Sequence, residues 1–149
     1  MRPPLSKEPD KVKGIGGHEH TVLVVDDSND TRESLGLLLE MHGCRVAPAS
    51  GGPEALHLML TLGMRPCVVL LDLIMPRMDG LTFQKEQRKH PAIAAIPLIA
   101  VTGHEGLRRH ALDVGFAAAV LKPCDFDELL GLIEEHCAAT APGVRVKRA

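Results

Sequence analysis

The sequence predicts a doubly wound α/β domain around a five-stranded parallel sheet. Three observations carry the prediction. Five short apolar runs alternate along the chain with five segments whose apolar residues recur at helical spacing. The central run, Cys67-Val68-Val69-Leu70-Leu71, has no polar alternation, as expected of a strand buried on both faces of a parallel sheet. Three of the intervening helical segments run into a glycine (Gly43, Gly63 and Gly115), the residue that most readily closes a helix. Right-handed crossovers reduce the possible topologies to a few.

In order, Val22–Val25 is the first strand and ends in Asp26-Asp27. Ser28, Asn29 and Asp30 are candidate N-caps for a helix that carries Leu35, Leu38, Leu39 and Met41 on its inner side and stops at Gly43. Cys44–Ala49 is the second strand. Ser50-Gly51-Gly52-Pro53 opens the second helix, with proline near the first turn. That helix presents Ala55, Leu56, Met59, Leu60 and Leu62 and ends at Gly63. The third strand is the central run, ending in Asp72, followed by a loop punctuated by Pro76 and Gly80. The third helix, about Leu81 to Lys89, is charged at Lys85, Glu86, Arg88 and Lys89 and apolar at Leu81 and Phe83. Pro97–Val101 is the fourth strand and ends in Thr102-Gly103; a helix from His104 to Val114 follows. Ala117–Leu121 is the fifth strand and ends in Lys122-Pro123. The last helix begins near Asp125 and turns Phe126, Leu129, Leu130 and Ile133 inward. Residues 1–20 lack apolar periodicity and read as a flexible N-terminal tail, residues 21–139 as the folded domain, and residues 140–149 as a short basic tail with Arg145, Lys147 and Arg148.

The bulk numbers narrow the function classes. A length of 149 residues favours one domain, and 45% hydrophobic with 24% charged residues is ordinary for a soluble globular protein. A formal net charge of −2 gives no electrostatic case for nucleic acid or an anionic membrane. Cys44, Cys67, Cys124 and Cys137 contain no C-x-x-C pair and are expected as reduced, mostly buried thiols. The start of the chain lacks the apolar core of a signal peptide, and no apolar run reaches the roughly 18 residues of a membrane span, so a cytoplasmic location is expected. No G-x-G-x-x-G follows the first strand and there is no Walker A lysine loop, which leaves nucleotide binding without support. His18-Glu19-His20 resembles a metal motif in composition. Two histidines in a tail without a third ligand nearby are better read as solvated.

Chemistry concentrates at the strand ends. Four of the five strands terminate in polar residues: Asp26 with Asp27, Asp72, Thr102 and Lys122. Taken alone, each has an ordinary explanation, such as a turn aspartate, a capping threonine or a surface lysine before proline. Parallel strands, however, place all their carboxyl ends on one rim, where open α/β sheets bind ligands. Three acids and one lysine there sum to −2, which suits a hard divalent cation such as Mg²⁺, with Asp26 and Asp27 as natural ligands and Asp72 able to contribute a third oxygen. Carboxylates are nucleophiles toward phosphorus. Phosphoryl transfer then needs cations and donors on the equatorial oxygens, which the Lys122 ammonium and the Thr102 hydroxyl can supply.

The segments Val24-Val25-Asp26-Asp27, Leu71-Asp72-Leu73-Ile74-Met75-Pro76-Arg77-Met78-Asp79-Gly80, Ala100-Val101-Thr102-Gly103 and Leu121-Lys122-Pro123 together resemble the receiver domain of two-component response regulators, over about Thr21 to Ala139. The resemblance is to stand-alone, chemotaxis-type receivers. It implies a flavodoxin-like sheet in the order 2-1-3-4-5 and a cis peptide before Pro123. It implies Asp72 as phosphoacceptor and Mg²⁺ held by Asp26, Asp27, Asp72 and the backbone carbonyl of Ile74. Thr102 is then the switch hydroxyl, and Lys122 pairs with the phosphoryl group. The implied partners are a histidine kinase or histidine phosphotransfer protein and an unidentified downstream protein, with neither nucleic acid nor membrane. The chain is not expected to be an enzyme beyond assisting its own phosphotransfer and dephosphorylation.

Three positions depart from, or tune, that pattern. Receivers commonly carry Tyr or Phe three residues before the lysine; here Ala119 stands there, and Phe116 sits at the wrong offset. Ile74 and His104, two residues past Asp72 and Thr102, occupy positions that tune dephosphorylation in the family. An apolar Ile74 cannot orient a water, which predicts slow loss of the phosphoryl group, whereas an imidazole at His104 could act as a base. Two other readings compete. The first is a receiver-fold interaction module that ignores phosphate, which Ala119 favours and the intact acid, hydroxyl and lysine set opposes. The second is an aspartyl-phosphate phosphatase, whose D-x-D nucleophile after the first strand is absent here.

Overall fold

In the computed structural model of the chain, which describes residues 21–140, the five strands are β1 (Thr21–Val25), β2 (Arg45–Ala49), β3 (Val68–Asp72), β4 (Leu98–Thr102) and β5 (Ala118–Leu121). The helices between and after them are α1 (Asn29–Met41), α2 (Gly52–Leu56, continued by a π-helical turn over His57–Thr61), α3 (Gly80–Arg88), α4 (Glu105–Asp113) and α5 (Phe126–Thr140). Every strand pair is parallel, and the sheet order is β2-β1-β3-β4-β5, as the sequence resemblance implies. The connection direction reverses between β1 and β3, so the crevice beyond their carboxyl ends is the topological switch point of the sheet. The expected tails, residues 1–20 and 141–149, lie outside the described residues, and His18-Glu19-His20 with them.

Strand periodicity divides the core into two halves. Leu23, Val25, Val69, Leu71 and Ala100 face Ala55, Met59, Phe83 and Ala111 on one side of the sheet. Val22, Val24, Val68, Leu70, Ile99 and Val101 face Leu39, Leu129, Ile133 and Cys137 on the other. β3 and β4 are buried along their whole lengths, which explains why their sequences show no polar alternation. Gly43, Gly63 and Gly115 all adopt positive φ (92°, 78° and 106°) at the ends of their helices.

Two inner helix faces are narrower than periodicity suggested. On α1, Leu39 is buried and Leu35 packs against the core, but Leu38 and Met41 are exposed. Met41, two residues beyond Leu39, is rotated to the far side of the helix. After α2, the Leu62 amide donates to the His57 carbonyl at 3.1 Å, an i→i+5 bond. That wider turn shifts the phase of the last residues, so Leu60 and Leu62 face solvent instead of the core. Gln84 and Gln87 of α3 are polar and nevertheless buried. Their amides donate to backbone carbonyls outside α3: Gln84 Nε2 to Val114 (3.0 Å), and Gln87 Nε2 to Ile96 (3.0 Å) and to Ile93 (2.9 Å), which also accepts from the Ile96 amide.

The turn after β3 is closely packed against backbone. The Gly80 amide donates to the Leu73 carbonyl at 2.9 Å. A β-carbon on Gly80 would lie 2.6 Å from Leu73 Cδ2, 2.9 Å from Leu73 Cα and 3.0 Å from the Asp72 carbonyl oxygen. Two of those contacts are backbone, which cannot swing aside. Gly80→Ala is therefore expected to lower stability by about 1–3 kcal/mol, measured as the urea midpoint. Gly103→Ala, with nothing within 4 Å of the added carbon, should change it by less than about 0.5 kcal/mol.

Candidate functional site

The site forms because the sheet aligns its carboxyl ends. Asp26 follows the last residue of β1, Asp72 and Thr102 are the last residues of β3 and β4, and Lys122 follows the last residue of β5. Ligand oxygens of Asp26, Asp27 and Asp72 all lie within 4.8 Å of one another. Lys122 Nζ stands 3.5 Å from Asp26 Oδ2 and 3.5 Å from Asp72 Oδ2, so one ammonium bridges two carboxylates from strands that are neighbours in the sheet. Asp26, Asp72 and Thr102 are buried, whereas Asp27 is exposed and the Lys122 side chain is about one-third exposed (36%).

Each side chain is held by local backbone. Ser28 caps α1, its hydroxyl accepting from the Thr31 amide, while its own amide donates to Asp26 Oδ1 at 2.8 Å. The Ile74 amide donates to Asp72 Oδ1 at 3.2 Å, and the apolar Ile74 side chain is 60% exposed. The His104 amide donates to Thr102 Oγ1 at 3.2 Å, and His104 Nδ1 accepts from the Leu107 amide at 3.2 Å, capping α4. That cap occupies the lone pair on Nδ1 and makes Nε2 the protonated nitrogen of the neutral ring. The Lys122 amide donates to the Thr102 carbonyl at 2.8 Å, extending the β4–β5 pairing by one residue, and the Lys122–Pro123 peptide is cis.

Burial pushes the Asp72 carboxyl above its ordinary pKa. The Ile74 amide opposes this, the Asp26 charge adds to it, Lys122 offsets part of it, and Asp27 raises it further. A buried carboxylate beside two other acids is a site short of positive charge. Octahedral Mg²⁺ with oxygens at about 2.0–2.1 Å sets neighbouring oxygens about 2.9 Å apart and opposite ones about 4.2 Å apart. Three carboxylate oxygens within 4.8 Å match that donor set with small side-chain adjustments, and among the described residues this is the sole acidic, histidine or cysteine cluster of that kind.

The structure brings Asp26, Asp27, Asp72 and Lys122 together and places Thr102 on the same rim, at the end of β4 beside β3. Ala119 is half-buried beside Ala100 in the β4–β5 register, so no ring stands where receivers carry one. Phe116 is buried in the core half beneath α4 and does not substitute for it. Arg32 was not anticipated: its Nη1 donates to the Asp26 carbonyl at 2.6 Å and its Nη2 bonds to Asn29 Oδ1. A cation in the first turn of a helix runs against the helix dipole, and that conflict was the signal available in the sequence.

Comparisons with known proteins agree with this geometry. The family model described as the response regulator receiver domain matches residues 22–134. A 14.6 kDa protein from the sodA1 3′ region of Leptolyngbya boryana is 37% identical over 123 residues, covering 81% of this chain and 92% of that protein. Protein PilG of Pseudomonas aeruginosa is 32% identical over 123 residues, covering 81% of this chain and 90% of PilG. The crystal structure of a response regulator receiver protein from Pseudomonas putida superposes with a TM-score of 0.69 at 35% identity, covering 76% of this chain and 94% of that one. Other relatives are much longer: the chain spans 23% of the regulatory protein AtoC of Escherichia coli and 15% of the sensor histidine kinase CheAY of Helicobacter pylori. No described helix is long and apolar enough to cross a membrane. The strand-end acids, the bridging lysine and the family match over residues 22–134 lead to one conclusion: this chain belongs to the response regulator receiver domain family of two-component signalling.

Proposed function

We propose that the chain accepts a phosphoryl group on Asp72 from a histidine kinase or histidine phosphotransfer protein, and passes the signal on through phosphorylation-dependent contacts with another protein. The observation that carries this is the meeting of three acids within 4.8 Å around a lysine 3.5 Å from both buried carboxylates. Asp26, Asp27, Asp72 and the Ile74 carbonyl are the groups to hold Mg²⁺, which when bound neutralises charge on the transferring phosphoryl group. An Asp72 carboxylate oxygen forms the new bond to phosphorus as the donor's bond to phosphorus breaks. Asp72 thereby exchanges its carboxylate charge for a phosphoryl dianion, and Lys122, already in contact with Asp72 Oδ2, follows the charge to the phosphoryl oxygens. The Thr102 hydroxyl, at the end of the neighbouring strand β4 and accepting from the His104 amide in the turn that follows, is the donor for a remaining oxygen. The chain is in this reading a substrate that assists its own modification, not a turnover enzyme. The match covers 92% of the Leptolyngbya protein and 90% of PilG, so receivers of this kind occur among the relatives with little else attached.

Ala119 favours a second reading, in which the fold binds a partner regardless of phosphate. Without a ring to follow Thr102, the surface around β5 has less to rearrange. A phosphoryl mimic is expected to shift amides near Asp72, Thr102 and Lys122 and to leave those near Ala119 nearly unchanged; a large rearrangement at Ala119 contradicts this.

Incubation with Mg²⁺ and acetyl phosphate should add one phosphoryl mass to the intact protein, and the gain should vanish in Asp72→Asn or with EDTA. No gain from acetyl phosphate and none from a phosphorylated histidine phosphotransfer protein would favour the phosphate-independent module. The phosphoryl group should then persist for minutes or longer, because Ile74 offers no polar group to a water and His104 Nδ1 is committed to the α4 cap. A half-life of seconds contradicts that. Without metal, Asp72→Asn should also raise the melting temperature by about 2–4 °C, since it removes a buried charge crowded by Asp26 and Asp27. A lower melting temperature would show that the Lys122 pair outweighs that crowding.

A further inference from the structure

Arg32 occupies an unfavourable place for a cation. It lies in the first turn of α1, where the free amides of the helix carry partial positive charge. Its guanidinium folds back across the helix start instead of extending into solvent. Nη1 donates to the backbone carbonyl of Asp26 at 2.6 Å, and Nη2 bonds to Asn29 Oδ1. The Asp26 carbonyl belongs to the peptide that joins Asp26 to Asp27. The bond therefore acts on the one peptide plane that aims both acids of the β1–α1 turn.

The other bonds around this turn show what Arg32 completes. The Asp26 amide donates to the Ala49 carbonyl at 3.1 Å, which anchors the turn to β2. Asp26 Oδ1 accepts from the Ser28 amide at 2.8 Å, and Oδ2 faces Lys122 at 3.5 Å. Arg32 supplies the partner for the backbone carbonyl. A charged donor makes a stronger bond than a neutral one, and the planar fork reaches two acceptors at once, which an ammonium does not.

We propose that Arg32 is a positioning residue for the cation site: by clamping the Asp26–Asp27 peptide it holds both carboxylates in their binding orientation. This rests on the metal reading given above. Two effects of Arg32 on a bound cation have opposite signs. Its positive charge repels the cation, while its hydrogen bonds preorganise the ligands. The positioning account requires the second to win, so removing Arg32 weakens cation binding even though a repulsive charge is lost.

The test compares Mg²⁺ affinity by calorimetric titration of the wild type, Arg32→Met and Arg32→Lys, with the melting temperature in EDTA as a check on folding. The expected result is a Kd raised about tenfold in Arg32→Met, and raised in Arg32→Lys as well, since lysine keeps the charge but loses the fork. In phosphorylation by acetyl phosphate, the Mg²⁺ concentration for half-maximal rate should rise while the rate at saturating Mg²⁺ stays near that of the wild type. Tighter or unchanged Mg²⁺ binding in Arg32→Met overturns the positioning role and leaves the metal reading intact. If the wild type itself shows no saturable Mg²⁺ binding, the metal reading falls and this inference with it.

Discussion

The bridge from Lys122 to Asp26 and Asp72 is the constraint on which the rest of the site depends. Two buried carboxylates from adjacent strands stand close enough to share one ammonium, with a third acid beside them. Such an arrangement costs free energy unless positive charge is supplied, and the single lysine supplies less than the acids demand. The deficit is the physical basis for cation binding. It is also the basis for a change of state when Asp72 is modified, because the lysine's two attachments then cease to be equivalent. Hydrogen bonds from Ser28, Ile74 and His104 hold the side chains in this crowded arrangement. Those backbone amides belong to the turns that follow β1, β3 and β4, so the same turns that end the strands also build the site.

The sheet makes this possible at low cost in sequence. Parallel order brings four strand ends to one rim without any long insertion, and the reversal between β1 and β3 opens the crevice there. Behind the rim, β3 and β4 are buried throughout and cannot shift to relieve crowding. Gly80 adds a further restriction, since its bare α-carbon lets the loop after Asp72 fold back onto Leu73. Rigidity behind the site and unfavourable charge within it are complementary: strain from like charges is kept as electrostatic potential instead of being dispersed by movement.

How far the sequence alone led can be judged residue by residue. Uninterrupted apolar runs ending in Asp72 and Thr102 identified the buried central strands, because a strand covered on both faces has no room for polar alternation. Parallel strand direction placed Asp26, Asp27 and Lys122 on the same rim. Helix faces were less legible. Met41 and Leu62 are apolar by composition and yet exposed, one through helical phase and the other through a π turn that changes the residues per turn. Gln84 and Gln87 were invisible as core residues because their burial answers to backbone carbonyls, of the loop that follows α3 for Gln87 and of Val114 for Gln84. Arg32 was missed for a related reason: its partner is a backbone atom, and the sole mark in the sequence is its unfavourable place against the helix dipole. Sequence patterns thus revealed where side chains meet side chains, and concealed where side chains serve the main chain.

The most direct test of the account locates the phosphoryl group itself. After phosphorylation, borohydride reduces an aspartyl phosphate to homoserine, and peptide mass then identifies the residue converted. The account predicts conversion at Asp72 alone, dependent on Mg²⁺ and on prior phosphorylation. Conversion at Asp26 or Asp27, or a phosphoryl group that survives borohydride because it sits on histidine or serine, would contradict the central claim that the buried acid at the end of β3 is the acceptor.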